Sequence, residues 1–306
     1  MAVVGAAPEG SRHVERLHWA KRIGQLDPHD DAAEIYRILV SHEFPWDMNQ
    51  ALSFALFRTY AVPSIGSLLH RTGEFTERTQ KRYEDTGLLL DAVVEHGLDS
   101  PLGKTAVRRI NQMHSAYDIS NDDMRYVLCT FVAVPIRWMD AYGWRRFTEA
   151  EKVASANYYR DLGRHMAIRD IPQTWQEFTA TMDAYEATSF GYDDGARLVA
   201  EATLALLADL PPNDKLPSVL VRQMSFALMD EPLLDAFRFP HPHPAVRRAV
   251  QAGLKARAQV VRRMPPRQQP RFLRDLPSIR LYAGGYDVAQ LGTYPRGCPS
   301  VRSDHA

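Results

Sequence analysis

Nearly every periodic stretch of this 306-residue chain follows the helical period, with apolar residues recurring three and four positions apart. Strict alternation, which marks a half-buried strand, is absent, so we predict an all-α fold. No repeat or shift in composition marks a boundary, and 45% hydrophobic residues suffice for one large core. We therefore predict a single globular helical domain over residues 31–264, an N-terminal extension over residues 1–30 and an irregular tail over residues 265–306.

Local sequence signals set the expected helix ends. Asn121 is predicted to cap one helix, and Thr148-Glu-Ala-Glu151 and Thr174-Trp-Gln-Glu177 each have the spacing of a capping box. The predicted helices cover residues 31–41, 48–70, 76–95, 105–117, 121–142, 149–162, 175–187, 193–209, 216–229 and 245–263.

Charge and cysteine content exclude several classes of protein. The 37 basic and 37 acidic side chains cancel, and no long basic run is present, so nucleic acid is not an expected partner. The two cysteines, Cys129 and Cys298, exclude a disulfide framework. Because the N-terminus lacks the pattern of a signal peptide, a cytoplasmic location is expected.

The most apolar region, residues 48–69, raises the question of a membrane span. Arg58 and Pro63 interrupt it, whereas a spanning helix needs roughly 20 apolar residues with few or no charges. We predict a core helix bent at Pro63 and no transmembrane segment. Contact of its apolar face with a lipid-like ligand or with a membrane surface stays open.

Common catalytic motifs are missing. The chain has no nucleophile elbow, no phosphate-binding glycine loop and no dinucleotide fingerprint. Its one Glu-x-x-His element, Glu15-Arg-Leu-His18, is half of what a di-iron bundle needs. His241 and His243, in a proline-rich turn, and His165, at a predicted helix end, are typical of structural positions.

His114 differs from the other histidines because it lies on an apolar stripe. Val107, Ile110, His114 and Tyr117 follow the helical period, away from the basic face of the same segment. We therefore expect a buried imidazole. Burial requires either a hydrogen-bond partner or a metal, and the residues alone leave both interpretations open.

Arg82 and Thr86 lie four residues apart and share one face of the preceding helix. A guanidinium and a hydroxyl beside a buried imidazole would form a polar pocket among apolar helices. The neighbouring charges, Lys81, Glu84 and Asp85, equally allow a solvated charged face.

These segments together resemble a known family over roughly residues 40–235. Arg82 and Thr86, Val107-Arg108 with His114-Ser115, the Thr148-Glu-Ala-Glu151 segment, and the Gly163 to Thr174 segment occur in the order found in one haem-dependent oxygenase family. That family contains the latex clearing proteins and the MpaB-type enzymes.

The resemblance implies a globin-like core that binds haem b, with His114 as the axial ligand of the iron. Arg82 and Thr86 would lie on the reacting face and donate hydrogen bonds to dioxygen or to a propionate. The implied function is oxygenation of an apolar, isoprenoid- or lipid-like substrate, including oxidative cleavage of a C=C bond. The alternatives are a non-catalytic haem or oxygen-binding protein and a haem-free lipid-binding protein.

One position departs from the pattern. Some latex clearing proteins have a lysine before the motif threonine, and this chain has Asp85 there. Asp85 is therefore a candidate proton relay in the pocket, unless it points to solvent.

Overall fold

The computed structural model describes residues 15–293, and every regular element in that part of the chain is helical, which confirms the all-α fold. Cys298 and residues 1–14 of the predicted extension lie outside the described residues. The α-helices of the described part are α1 His18–Ile23, α2 Ala32–Ile38, α3 Pro45–Thr59, α4 Pro63–Thr72, α5 Glu74–Glu77, α6 Thr79–His96, α7 Pro101–His114, α8 Asn121–Tyr142, α9 Glu149–His165, α10 Trp175–Ser189, α11 Asp194–Asp209, α12 Ser218–Leu228, α13 Glu231–Ala236 and α14 Pro244–Arg263.

The two predicted capping boxes have different outcomes. In α9 the box is complete: the backbone N–H of Glu151 donates to the Thr148 hydroxyl over 3.3 Å, and the Thr148 N–H donates to the Glu151 carboxylate over 2.8 Å. In α10 the Thr174 hydroxyl caps the helix, but the Glu177 carboxylate accepts the N–H of Gln173 instead. The second prediction is therefore only half correct.

The predicted cap of α8 is wrong by one residue. The Ser120 hydroxyl accepts the N–H of Asp123 over 3.0 Å and is the N-cap. The Asn121 side chain instead bonds to the backbone N–H and carbonyl of Arg169, and so ties the start of α8 to the loop after α9.

Two helices replace the single bent helix expected over residues 48–70. α3 ends at Thr59, α4 begins at Pro63, and the two are bent by 97°. The proline suits the first turn of α4, where a backbone N–H has no helical partner. Arg58, at the end of α3, is paired with Glu186 in α10.

The core consists of two hydrophobic clusters joined by α3. One contains residues from α2, α3 and α6 to α9, and the other contains residues from α11 to α13. Met48 and Ala51 of α3 belong to the first cluster, whereas Phe57 belongs to the second. Because one helix contributes to both, the helices form a single body.

The segment after α14 has no α-helix among the described residues and crosses the body as two 3-10 turns, Leu273–Asp275 and Val288–Gln290. It runs antiparallel to α6. The N–H of Leu273 donates to the carboxylate of Asp91 over 3.0 Å, and the amide of Gln80, earlier in α6, donates to the carbonyl of Ser278 over 2.9 Å. The irregular tail expected from the sequence thus covers one side of α6.

α4 and α11 approach unusually closely at Gly66. A Cβ atom at this position would lie 2.4 Å from the Cβ of Ala196 in α11 and 2.3 Å from the carbonyl oxygen of Tyr60. Both atoms belong to rigid parts of the fold, so neither moves aside cheaply. The close packing of these two helices therefore requires glycine.

We expect Gly66→Ala to lower the free energy of unfolding by about 1–3 kcal/mol, because the added methyl group forces α4 and α11 apart. The matched control is Gly253→Ala in α14, where no atom lies within 4 Å of the added Cβ. That change should stabilise the protein by up to ~1 kcal/mol, since alanine favours a helix. Urea denaturation of both variants measures the difference, and equal effects would contradict the packing argument.

Candidate functional site

An elongated cavity of about 230 Å³ lies between α3, α6, α9, α11 and the C-terminal segment. Its walls are mainly apolar, including Leu52, Leu56, Leu90, Val94, Leu162, Leu206 and Leu207. From α6 it is lined by Thr79, Arg82, Tyr83, Thr86, Gly87, Leu90, Asp91 and Val94. These residues form one helical face, and the 15 helical steps from Thr79 to Val94 correspond to roughly 22 Å.

Arg82 and Thr86 form a polar pair in this apolar wall. The Arg82 guanidinium donates to the Thr86 hydroxyl over 2.7 Å, and that hydroxyl donates to the Arg82 carbonyl over 2.8 Å. Among the described residues no carboxylate forms an ion pair with Arg82, and its Nε and Nη2 atoms have no hydrogen-bond partner. The pair therefore presents free donors at the cavity, as expected for a pocket and not for a solvated face.

Aromatic and hydroxyl groups surround the Arg82 guanidinium. It lies 5.3 Å from the ring centre of Phe75, which also lines the cavity. Burial lowers the pKa of Arg82, and burial raises the pKa of the nearby Tyr60 to about 12, while a hydrogen bond with Thr203 opposes that rise. At neutral pH this end of the cavity thus holds one cation and neutral hydroxyl groups.

His114 is the last residue of α7, which packs beside α6. Its Nδ1 atom is buried and has no hydrogen-bond partner among the described residues. Burial, together with the charge of Arg82, lowers the pKa of His114 to about 4. The imidazole is therefore neutral at pH 7, which is the form that binds a metal.

The surroundings of His114 differ in part from the sequence prediction. Val107 and Ile110 are buried on its helix, as expected, but α7 ends at His114, and Tyr117 lies beyond it and is exposed. His114 itself does not line the cavity. Arg82 does line the cavity, and its charge acts on the imidazole of His114. His114 therefore lies behind the polar end of the cavity.

Two other histidines share the unusual feature of His114. The Nδ1 atoms of His42 and His70 are also buried without a partner in the described part of the chain. His42 belongs to the π-helical turn after α2, and His70 lies near the end of α4. An unpartnered nitrogen alone therefore does not identify the ligand, and both residues are rivals to be tested.

Asp85 is fully buried but lies outside the cavity lining. Its carboxylate accepts hydrogen bonds of 2.5 Å from the Lys81 ammonium group and from the Tyr282 hydroxyl. It thus neither reaches the pocket nor points to solvent, the two arrangements expected from the sequence. In this position it anchors the C-terminal segment on α6.

Asp91 lines the cavity and was not singled out by the sequence. Burial raises its pKa to about 7, against the opposing effect of the N–H of Leu273. A carboxyl group that is half protonated near neutral pH is suited to hold or release a proton in an apolar site. No motif marks this position, because the burial that raises the pKa comes from the fold, and the partner of the carboxylate, Leu273, lies 182 positions away.

The remaining histidine candidates have structural contacts. His165 ends α9 and bonds through Nδ1 to the Asp161 carbonyl, as expected of a helix end. His241 contacts Asp235, and His243 caps α14. Among residues 15–293 no group of three or more metal-binding side chains occurs, although an axial haem ligand requires only one.

No single helix in the described part of the chain is long and apolar enough to cross a membrane. Only α3 and α4 taken together reach that length, and they are bent by 97°.

An apolar cavity with a polar end, enclosed by helices, is suited to an enzyme that acts on apolar compounds. The profile of the catalytic-domain family described as "ER-bound oxygenase mpaB/B'/Rubber oxygenase" matches residues 48–263. The chain belongs to this family of oxygenases, as the resemblance in its motifs predicted.

Three fungal relatives are similar at about the same level. The ER-bound oxygenase mpaB' of Penicillium brevicompactum is 30% identical over 256 residues, covering 78% of this chain and 60% of the relative. The ER-bound oxygenase mpaB of Penicillium roqueforti (strain FM164) is 31% identical over 60% of this chain and 67% of the relative. The ER-bound oxygenase mpaB of Penicillium brevicompactum is 30% identical over 58% of this chain and 50% of the relative. The chain thus spans between half and two thirds of these relatives.

The names of these relatives correct one expectation. All three are described as ER-bound oxygenases, so the cytoplasmic location predicted from the N-terminal sequence is wrong by this comparison.

Proposed function

We propose that the protein is a haem b-dependent oxygenase that acts on an apolar, isoprenoid- or lipid-like substrate and cleaves a C=C bond oxidatively. The observation that carries the proposal is the combination of two features: free donors of Arg82 at one end of an apolar cavity, and behind it a neutral imidazole, His114, whose buried Nδ1 atom has no partner among the described residues. Membership of an oxygenase family supports the reaction class.

The residues around His114 fit a haem. A neutral imidazole with a buried, unpartnered nitrogen is the donor that haem iron takes from a protein, and an adjacent guanidinium suits a propionate or a developing negative charge. When bound, haem supplies the activation of dioxygen. His114 is proposed as the residue that holds it.

Arg82 and Thr86 would act through hydrogen bonds. The guanidinium is fixed by the Thr86 hydroxyl and keeps its Nε and Nη2 donors free, so little reorganisation is needed when negative charge develops nearby. Because the surrounding walls are apolar, water does not compete well for these donors. Asp91, with its raised pKa, is placed in the same cavity to exchange a proton.

The cavity shape supports a long apolar substrate. The lining face of α6 alone extends over roughly 22 Å. Phe54 and Phe57 of α3 pack in the core, whereas Tyr60, just after α3, lines the cavity. A substrate that extends along α6 would bring its reacting end to Arg82 and Thr86.

Isotope labelling tests the reaction. Incubation of the purified protein with a polyprenyl substrate under ¹⁸O₂ should give carbonyl products that carry the label and are shorter than the substrate, as detected by mass spectrometry. Labelled products of unchanged carbon number would place the reaction at hydroxylation or epoxidation. Label arriving only from H₂¹⁸O₂ would overturn the oxygenase proposal. A purified protein without a Soret band would contradict the proposal that haem is the cofactor.

A further inference from the structure

The C-terminal segment brings two arginines to the edge of the cavity. Arg267 and Arg271 both line it, and Arg267 is exposed to solvent whereas Arg271 is partly covered, so they mark its rim. The backbone N–H of Arg271 donates to the carbonyl of Ser41, which holds this part of the segment against the turn after α2. The backbone that carries the two side chains is therefore held near one end of an apolar space.

This pair lies at the far end of the cavity from Arg82. The segment runs antiparallel to α6, and Leu273 already meets Asp91, nine residues and about 13 Å along the helix beyond Arg82. Arg271 precedes Leu273 and so lies further in the same direction. The cavity therefore has a polar reacting end and a separate cationic rim.

The rim carries positive charge without an acidic partner. No ion pair or side-chain hydrogen bond joins Arg267 or Arg271 to any residue in the described range 15–293. Burial and the charge of Arg271 lower the pKa of Arg267, and burial, with smaller effects from Arg145 and Arg267, lowers that of Arg16. Arg16 is the one member of this group with an acid partner, Glu43.

No other nearby group in the part of the chain that the structure describes neutralises the pair. The adjacent His42 is kept neutral, because burial and the charges of Arg37 and Arg267 all lower its pKa. Two guanidinium groups that repel each other at the mouth of an apolar cavity are stabilised when an anion binds between them. Carboxylates and phosphates match the donor geometry of arginine.

We propose that the cavity takes an amphiphile, an apolar chain that ends in a carboxylate or a phosphate, with the anionic group on Arg267 and Arg271 and the far end of the chain at Arg82 and Thr86. The inference rests on the proposed function in that it names the substrate class of the same cavity. It also fixes the orientation of the substrate in the cavity. The anionic end stays at the rim, and the carbon that is oxidised lies at a distance from the anionic group that depends on the length of the chain.

Equilibrium dialysis with radiolabelled dodecanoate, dodecyl phosphate and 1-dodecanol tests the proposal without requiring turnover. The protein as purified should bind both anionic amphiphiles at least tenfold more tightly than the alcohol, as charge-assisted hydrogen bonds imply. Arg267→Gln/Arg271→Gln should remove this preference and leave the affinity for 1-dodecanol unchanged, which also shows that the cavity remains folded.

The matched control is Arg262→Gln/Arg263→Gln, which removes the same charge from exposed residues at the end of α14 that do not line the cavity. It should retain the preference. Equal binding of acid and alcohol by the wild-type protein, or an equal loss in the control, would overturn the proposal. Full competition by inorganic phosphate alone would also overturn it, because the site would then bind a free anion.

The haem content of each variant separates this inference from the proposed function. A Soret band that is lost only in Arg267→Gln/Arg271→Gln would assign the pair to a haem propionate and overturn the amphiphile proposal. If the wild-type protein has no Soret band but still prefers the anionic amphiphiles, the oxygenase proposal fails and the binding site stands.

Discussion

His114→Ala should abolish stoichiometric haem binding, seen as loss of the Soret band from the purified protein, while circular dichroism stays helical. The iron–imidazole bond is the one strong directional link expected between haem and this chain. The His114 side chain contributes no hydrogen bond to the fold, since its Nδ1 has no partner in the described structure, so its removal should not unfold the protein.

The controls are chosen from the rival histidines. His42→Ala and His70→Ala remove the two other imidazoles with a buried, unpartnered nitrogen, and His165→Ala removes an exposed one at a helix end. All three should keep the Soret band. Loss of the band in His70→Ala or His42→Ala, with retention in His114→Ala, would show that the ligand assignment is wrong.

Arg82→Ala is expected to keep haem and lower turnover by about 10²–10³, the effect of removing one preorganised donor to a developing negative charge. The guanidinium has free donors at the cavity, and alanine leaves an apolar surface in their place. Steady-state turnover and haem content should be measured on the same preparation. The matched control, Arg108→Ala, removes an exposed arginine of α7 and should leave turnover unchanged.

Thr86→Val separates positioning from charge. It removes the hydroxyl that holds the guanidinium, at nearly constant volume, and should lower turnover less than Arg82→Ala does. Complete loss of haem in Arg82→Ala would instead place this arginine on a propionate.

The helical fold and one end of the cavity were predictable from the sequence because they depend on local spacing. Arg82 and Thr86 meet because they are four residues apart on one helix, and the capping box at Thr148 depends on three residues of separation. α13 was missed because it is a six-residue helix that follows α12 after two residues and precedes a proline-rich connector.

The other features of the site depend on distant contacts, which a single sequence does not encode in any pattern. The contact of Asp91 with Leu273 and the cationic rim both require the C-terminal segment to lie on α6. Asp85 was interpreted as a pocket residue, and its partner Tyr282 lies 197 positions away. The order of motifs along a chain does not reveal which side of a helix a late segment will cover.

The antiparallel course of the C-terminal segment along α6 has a consequence for synthesis. The cavity wall from α6 is complete at residue 94, but Leu276, the last lining residue, is added 182 residues later. At about 5–20 residues per second, the growing chain spends on the order of 10–40 s with this apolar cleft uncovered. Until Leu276 is added, the growing chain therefore leaves this cleft open to chaperones and to free cofactor.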